Sequence, residues 1–160
     1  MDNPQNRSIQ FSEIIPAPIG QVWQAWATEE GVRTFFAPEC RIELVPGGAY
    51  EMYFNLDSPV GLKGGEGCKV LAVDEPSLLS FTWNALPELP LIRDHYTHVM
   101  VHLVSINEDE TLVTLIHDGW GNSEKWDEGI QYFERAWGEI VLPRLRQRFL
   151  SGPIRWQELE

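Results

Sequence analysis

Four histidines are the side chains of this sequence best suited by type to move protons near neutral pH, and His117 has the most informative setting. It lies in Thr114-Leu115-Ile116-His117-Asp118-Gly119-Trp120, where alternation puts Val113, Leu115 and His117 on one strand face. An inward histidine in apolar company is either a hydrogen-bonded core group or the anchoring or acid–base group of a ligand pocket. Asp118 follows it directly, but successive strand residues point to opposite faces, so the pair makes no dyad. His95, His98 and His102 resemble a metal set. His98 and His102 share a face, yet strand rise separates them by about 13 Å, too far for one ion. They lie opposite Val99 and Val101, on the side expected to meet solvent, and no metal is expected.

Other chemistry-bearing patterns are weaker. Gly61-Leu62-Lys63-Gly64-Gly65-Glu66-Gly67 is glycine-rich and carries a lysine, but it lacks the phosphate-loop spacing and no helix follows it, so it reads as a turn. Ser12, Ser58, Ser80 and Ser105 lack the context of an activated nucleophile. Glu51 and Glu66 are candidates for a pocket mouth. Cys40 and Cys68 form no zinc pattern and read as small buried groups with reduced thiols. No cofactor is expected.

The elements that must position these residues follow from pattern. The chain has 160 residues, of which 43% are hydrophobic, so one domain spanning 1–160 with a core over about 9–150 is expected. A net charge of −12 speaks against nucleic acid and against an anionic membrane surface. Met1 to Ser8 is polar and no stretch is apolar enough to span a bilayer, so a cytoplasmic protein without membrane insertion is expected. The basic residues Arg144, Arg146, Arg148 and Arg155 gather late in the chain, where they suit a helix C-terminus.

A first strand is predicted over Ser8–Ile14, with Ile9, Phe11 and Glu13 on one face. Ile19, Val22, Trp23 and Trp26 have helical spacing, and Thr28 can cap a second short helix ended by Pro38. Six strands follow, over Arg41–Val45, Ala49–Asn55, Cys68–Val73, Leu78–Asn84, Tyr96–Ile106 and Thr111–His117. Pro46-Gly47-Gly48 turns the first pair and Asp74-Glu75-Pro76-Ser77 the next. A long helix over about Glu124–Leu150, capped by Asn122 or Ser123, carries Trp126, Ile130, Phe133, Trp137, Ile140 or Val141, and Leu145 on one stripe. Pro143 inside it should kink it or leave a carbonyl unpaired. The aromatic set Tyr50, Phe54, Phe81, Trp83, Phe133 and Trp137 falls on faces that meet, as a filled core or as a cavity wall.

This order resembles the helix-grip fold of START domains and the birch pollen allergen, the SRPBCC superfamily. Within it the sequence is most similar to the activator of heat-shock protein 90 ATPase family in its stand-alone form. The resemblance rests on Val22-Trp23-Gln24-Ala25-Trp26, Pro46-Gly47-Gly48, Asp74-Glu75-Pro76, Leu79-Ser80-Phe81-Thr82-Trp83, the His117 segment, and Ala136-Trp137 with Leu142 beyond, over about Ile9 to Phe149. The chain departs from the family pattern where Ala136 replaces a glycine and where Pro143 enters the helix. The resemblance implies an α+β fold, β-α-α-β6-α, with a curved antiparallel sheet wrapped around the C-terminal helix. It also implies an apolar cavity between them, which in the wider superfamily holds lipids, sterols, polyketides or hormones, and in some members supports cyclases or dehydratases. The family's eukaryotic co-chaperone also uses a separate N-terminal domain that this sequence does not contain, so a chaperone partner is not the expectation.

The resulting expectation is a binder of a small hydrophobic or aromatic molecule, with no assembled catalytic motif. Its contact residues would be Tyr50, Met52, Phe54, Phe81, Trp83, Val99, Val101, Leu115, His117, Ile130, Phe133 and Trp137. His117 and a tyrosine hydroxyl would orient the guest, and Arg33 or Arg93 would pair with an acidic group on it. The alternatives are an enzyme of the cyclase or dehydratase kind using His117, and a co-chaperone-like module. Trp120 and Trp156, taken as exposed, offer a homodimer contact.

Overall fold

The computed structural model describes residues 7–85, 87–121 and 123–159. The chain order is β1 (Ile9–Ile15), α1 (Ile19–Ala27), α2 (Glu29–Val32), β2 (Glu39–Ile42), β3 (Tyr50–Tyr53), β4 (Val70–Asp74), β5 (Leu78–Trp83), α3 (Pro90–Arg93), β6 (Thr97–Asn107) and β7 (Glu110–Asp118). The last helix follows as α4 (Lys125–Arg135), a π-helical turn over Ala136–Val141 and α5 (Leu142–Ser151). This is the helix-grip arrangement expected from the sequence. Its short α3 was not foreseen.

Five antiparallel strands form the main sheet in the order β1-β7-β6-β5-β4, and β2 and β3 form a separate hairpin. Single bridges, Ala49 to Lys69 and Tyr53 to Gly64, tie the hairpin to the segment entering β4. Alternation sets the inner face. Along β7, Thr111, Val113, Leu115 and His117 are buried and their neighbours are partly exposed, so the whole strand obeys period two. Along β6 the buried set is Thr97, Val99, Val101 and Leu103, while His98 and His102 lie on the outer side. Register brings Val99 opposite His117 and Trp83 opposite Thr97.

The helices cover that inner face. α1 buries Val22, Trp23, Ala25 and Trp26. Thr28 caps α2 as expected, its hydroxyl oxygen accepting from the Gly31 amide at 2.9 Å. On the long helix Trp126, Ile130, Phe133, Trp137, Val141 and Leu145 point inward, and Ile140 is exposed. Of the two capping candidates Asn122 lies outside the described residues, and Ser123 precedes the flanking residue Glu124, which makes no side-chain cap.

At Pro143 the long helix is irregular: a π turn over Ala136–Val141 precedes it, and the proline sits in the first turn of α5. One expectation is corrected. Trp120 is not exposed. It is 2% accessible and stacks on Phe133 with centroids 5.7 Å apart. The terminal segment folds back onto α2, where Trp156 donates its indole N–H to the Arg33 carbonyl at 2.7 Å and Ile154 its amide to the Thr34 carbonyl at 2.9 Å.

Candidate functional site

His117 is wholly buried, and both ring nitrogens are engaged. The indole N–H of Trp137 can only donate, and it reaches His117 Nδ1 at 3.0 Å. Nδ1 is therefore the acceptor and the ring proton sits on Nε2, which donates to Thr97 Oγ1 at 2.6 Å. The Thr97 hydroxyl passes its own hydrogen to the Trp83 carbonyl at 3.0 Å. Burial first, and then the charge of nearby His98, push the His117 pKa well below the usual histidine value. The result is a neutral imidazole locked between β6 and the last helix, with Trp120 and Phe133 against its faces at 4.4 and 4.6 Å.

The aromatic set meets as the sequence patterns require. Tyr50 stacks on Phe81 at 4.3 Å, Phe81 meets Trp83 at 5.7 Å, and Trp83 meets Trp137 at 5.5 Å. Phe36, which the sequence reading left out, lies edge-on to Trp137 at 5.7 Å and beside Trp83 at 5.6 Å. Such pairs add about 0.5–1.5 kcal/mol each beyond area burial. Tyr50, Met52, Phe81, Val99, Val101, Leu115, Ile130 and Phe133 are buried with these rings in one core. The Tyr50 hydroxyl is committed to the Trp26 carbonyl at 2.7 Å.

Phe54 and Trp83 stand apart from the other ten expected contact residues, because they line an open cleft of about 410 Å³ at one end of the sheet. Phe54 falls just past the end of β3, where its amide donates to the Lys63 carbonyl at 2.8 Å, and the residue remains 44% exposed. Trp83 forms part of the floor. One wall is Leu62, Lys63 and Gly64 from the glycine-rich segment, the other is Asn84, Ala85, Pro87 and Glu88, and Tyr132 of α4 closes the side. Asn84 is only 6% exposed although it lines the cleft. A hollow of about 660 Å³ beside Glu13, Glu110 and Arg146 is larger but lies on the outer surface and has no aromatic lining.

The glycine-rich segment is held from within. Glu66 accepts from the amides of Gly61 at 2.5 Å, Lys63 at 2.9 Å and Gly64 at 2.8 Å. Its own carboxylate thus fills the concavity that a phosphate would need. The other carboxylate named from sequence, Glu51, takes the Tyr53 hydroxyl at 2.5 Å and the Gly67 amide at 3.1 Å.

Neither expected arginine is free for a guest. Arg33 pairs with Glu39 at 2.8 Å and Glu29 at 3.6 Å. Arg93 is turned onto backbone carbonyls. Among the described residues no three His, Cys, Asp or Glu side chains gather as metal ligands. No described helix is long and apolar enough to cross a membrane. Cys40 and Cys68 are free, and burial pushes their thiol pKa values up to about 11 and about 12.

Sequence reasoning missed Asn84, Ala85, Leu62 and Tyr132. They come from loops and a helix flank without periodic signal, and only the closing of two loops over the sheet end unites them.

No curated protein matches the sequence. Among solved structures, MLL2253 from Mesorhizobium loti superposes with a TM-score of 0.72 at 18% identity, over 92% of this chain and 100% of that one. The Aha1 dimer from Colwellia psychrerythraea gives 0.69 at 18% identity, over 91% and 98%. PFC0360w, an HSP90 activator from Plasmodium falciparum, gives 0.65 at 17% identity, over 92% and 97%. At these identities the likeness is one of fold. The family model for activator of Hsp90 ATPase homolog 1-like protein matches residues 16–149, most of the chain, and the chain therefore belongs to that family.

Proposed function

We propose that the chain binds a small, flat apolar molecule in the cleft floored by Phe54 and Trp83. The observation that carries this reading is a phenylalanine, Phe54, left 44% exposed beside Trp83 and an almost wholly buried amide, Asn84, in one concave site. The guest's ring would lie on Phe54 and Trp83 with Tyr132 at its edge, and Asn84 would fix its orientation. The other ten residues expected from sequence act behind the floor, as the packed layer that holds Trp83 in place. A guest that buries about 200 Å² of apolar surface gains about 5 kcal/mol, equivalent to a Kd of about 0.2 mM before ordering costs, so binding in the millimolar range follows from ring burial alone.

Catalysis through His117 lacks geometric support, since both nitrogens are engaged inside the core and neither meets the cleft. Family membership carries co-chaperone action as the competing reading, and stimulation of an Hsp90 ATPase by this chain alone would favour it.

The test is titration with 1-anilinonaphthalene-8-sulfonate, followed by its fluorescence. Leu62→Trp fills the cleft from its exposed wall and should weaken binding by about tenfold, or 1.4 kcal/mol. Phe54→Ala should weaken it in the same direction. No binding by the wild type, or wild-type affinity in both variants, would remove the cleft as the site.

A further inference from the structure

The two walls of the cleft belong to segments far apart in sequence, and one side chain behind them touches both. Arg93, at the end of α3, is 9% exposed. Its guanidinium donates to the carbonyls of Gly61 at 2.7 Å and Gly64 at 2.9 Å on one side and to the Ala85 carbonyl on the other. It lies 3.6 Å from Glu66. Glu66 meanwhile collects the amides of the same glycine-rich segment, so acceptors go to the guanidinium and donors to the carboxylate. The Glu66 carbonyl is held as well, by Asn84 Nδ2 at 3.2 Å and the Tyr96 hydroxyl at 3.0 Å. A buried guanidinium is costly to desolvate and is retained where its planar fork satisfies several fixed acceptors at once. Gly64 also lies tight against β3 and Phe54: a Cβ there, where φ is +154°, would stand 2.6 Å from the Met52 carbonyl oxygen and 2.7 Å from the Phe54 ring.

We propose that Arg93, held by Glu66, is the specificity-determining strut of the cleft: it fixes the separation of the two walls and thereby the thickness of the guest admitted. This rests on the reading of the cleft as a binding site. Arg93 touches no guest itself. It acts by holding Gly61–Gly64 and Ala85 at one distance, and lysine cannot reproduce that, because a point charge reaches fewer carbonyls than a fork.

The experiment compares the full chain with Arg93→Lys, Arg93→Met and Glu66→Ala, using 1-anilinonaphthalene-8-sulfonate and its bulkier dimeric form, bis-ANS. Arg93→Met should lose affinity for the smaller probe and shift the ratio of affinities toward the bulkier one by about tenfold, the scale of one lost charge-assisted hydrogen bond. Arg93→Lys should fall between. Amide hydrogen exchange at Gly61, Lys63 and Gly64 should quicken by about tenfold or more in Arg93→Met, for the same reason. In Glu66→Ala, acetate should restore slow exchange and the wild-type ratio, while chloride at equal ionic strength should not. If both probes weaken in proportion, Arg93 is a staple only and the strut is overturned. If the wild type binds neither probe, the binding reading fails, and the exchange rates still decide the strut: equal rates in wild type and Arg93→Met overturn it.

Discussion

His117 is neutral in the fold because protonation would put a second donor on Nδ1, where the Trp137 indole N–H already points. In the unfolded chain the same imidazole titrates near 6.5, and in the fold its pKa lies well below that. Between those two values the unfolded state carries a proton that the native state does not, so stability rises with pH in this window and falls as pH drops beneath about 6.5. Stability is fully present above that point. One such group contributes a slope of about 1.4 kcal/mol per pH unit. Denaturant melts of wild type and His117→Gln between pH 7 and pH 5 should show the variant's curve flatter by about that slope, with lower stability at pH 7. Parallel curves would refute the assignment of the neutral tautomer. Strand parity made the inward direction of His117 legible. Its partners were not legible, since Thr97 and Trp137 reach it through β6–β7 register and the rotation of the last helix, which periodicity leaves undetermined.

At the scale of elements, α1 and α2 show how one glycine sets a packing distance. Gly31 in α2 lies so close to the end of α1 that a Cβ would stand 2.0 Å from the Gln24 carbonyl oxygen, a backbone atom that cannot swing aside. Gly20 in the first turn of α1 faces open space. Gly31→Ala should therefore cost about 1–3 kcal/mol or more through overpacking, whereas Gly20→Ala should be neutral or stabilise by up to about 1 kcal/mol. Paired thermal melts check this, and equal stabilisation in both would mean that helix propensity, and not the α1–α2 contact, decides. The positions of the principal strands and the long helix were legible because hydrophobic periods of two and near 3.6 run through them. The π turn at Ala136–Val141 was not, because an i→i+5 turn leaves no residue signature beyond a proline at its far side. Nor was α3, four residues with too little length to show a period.

For the molecule as a whole, what matters is how the space between sheet and last helix is used. The sequence required large rings on facing surfaces and left open whether they line a void or fill it, since side-chain identity does not report volume. In the structure Phe36, Trp83, Trp120, Phe133, Trp137 and His117 touch ring to ring through that space, and the access from solvent lies at its end, where Phe54 and the two loops meet. Binding at the cleft and binding in the interior can therefore be separated. Phe133 is 1% exposed and lies between His117 and Trp120, so Phe133→Ala should cost about 3–5 kcal/mol and leave a cavity that does not fully collapse. Apolar voids of this size accept benzene or xenon, and the flat faces of His117 and Trp120 would wall this one. Benzene should raise the melting temperature of Phe133→Ala by more than that of the wild type, which offers it the cleft but no such void, while affinity for 1-anilinonaphthalene-8-sulfonate at the cleft stays within a few-fold in both. Benzene stabilisation of the wild type, with a shift of the Trp137 indole N–H resonance, would instead place the guest beside His117, and the ten interior residues rather than Phe54 and Trp83 would then be its first contacts.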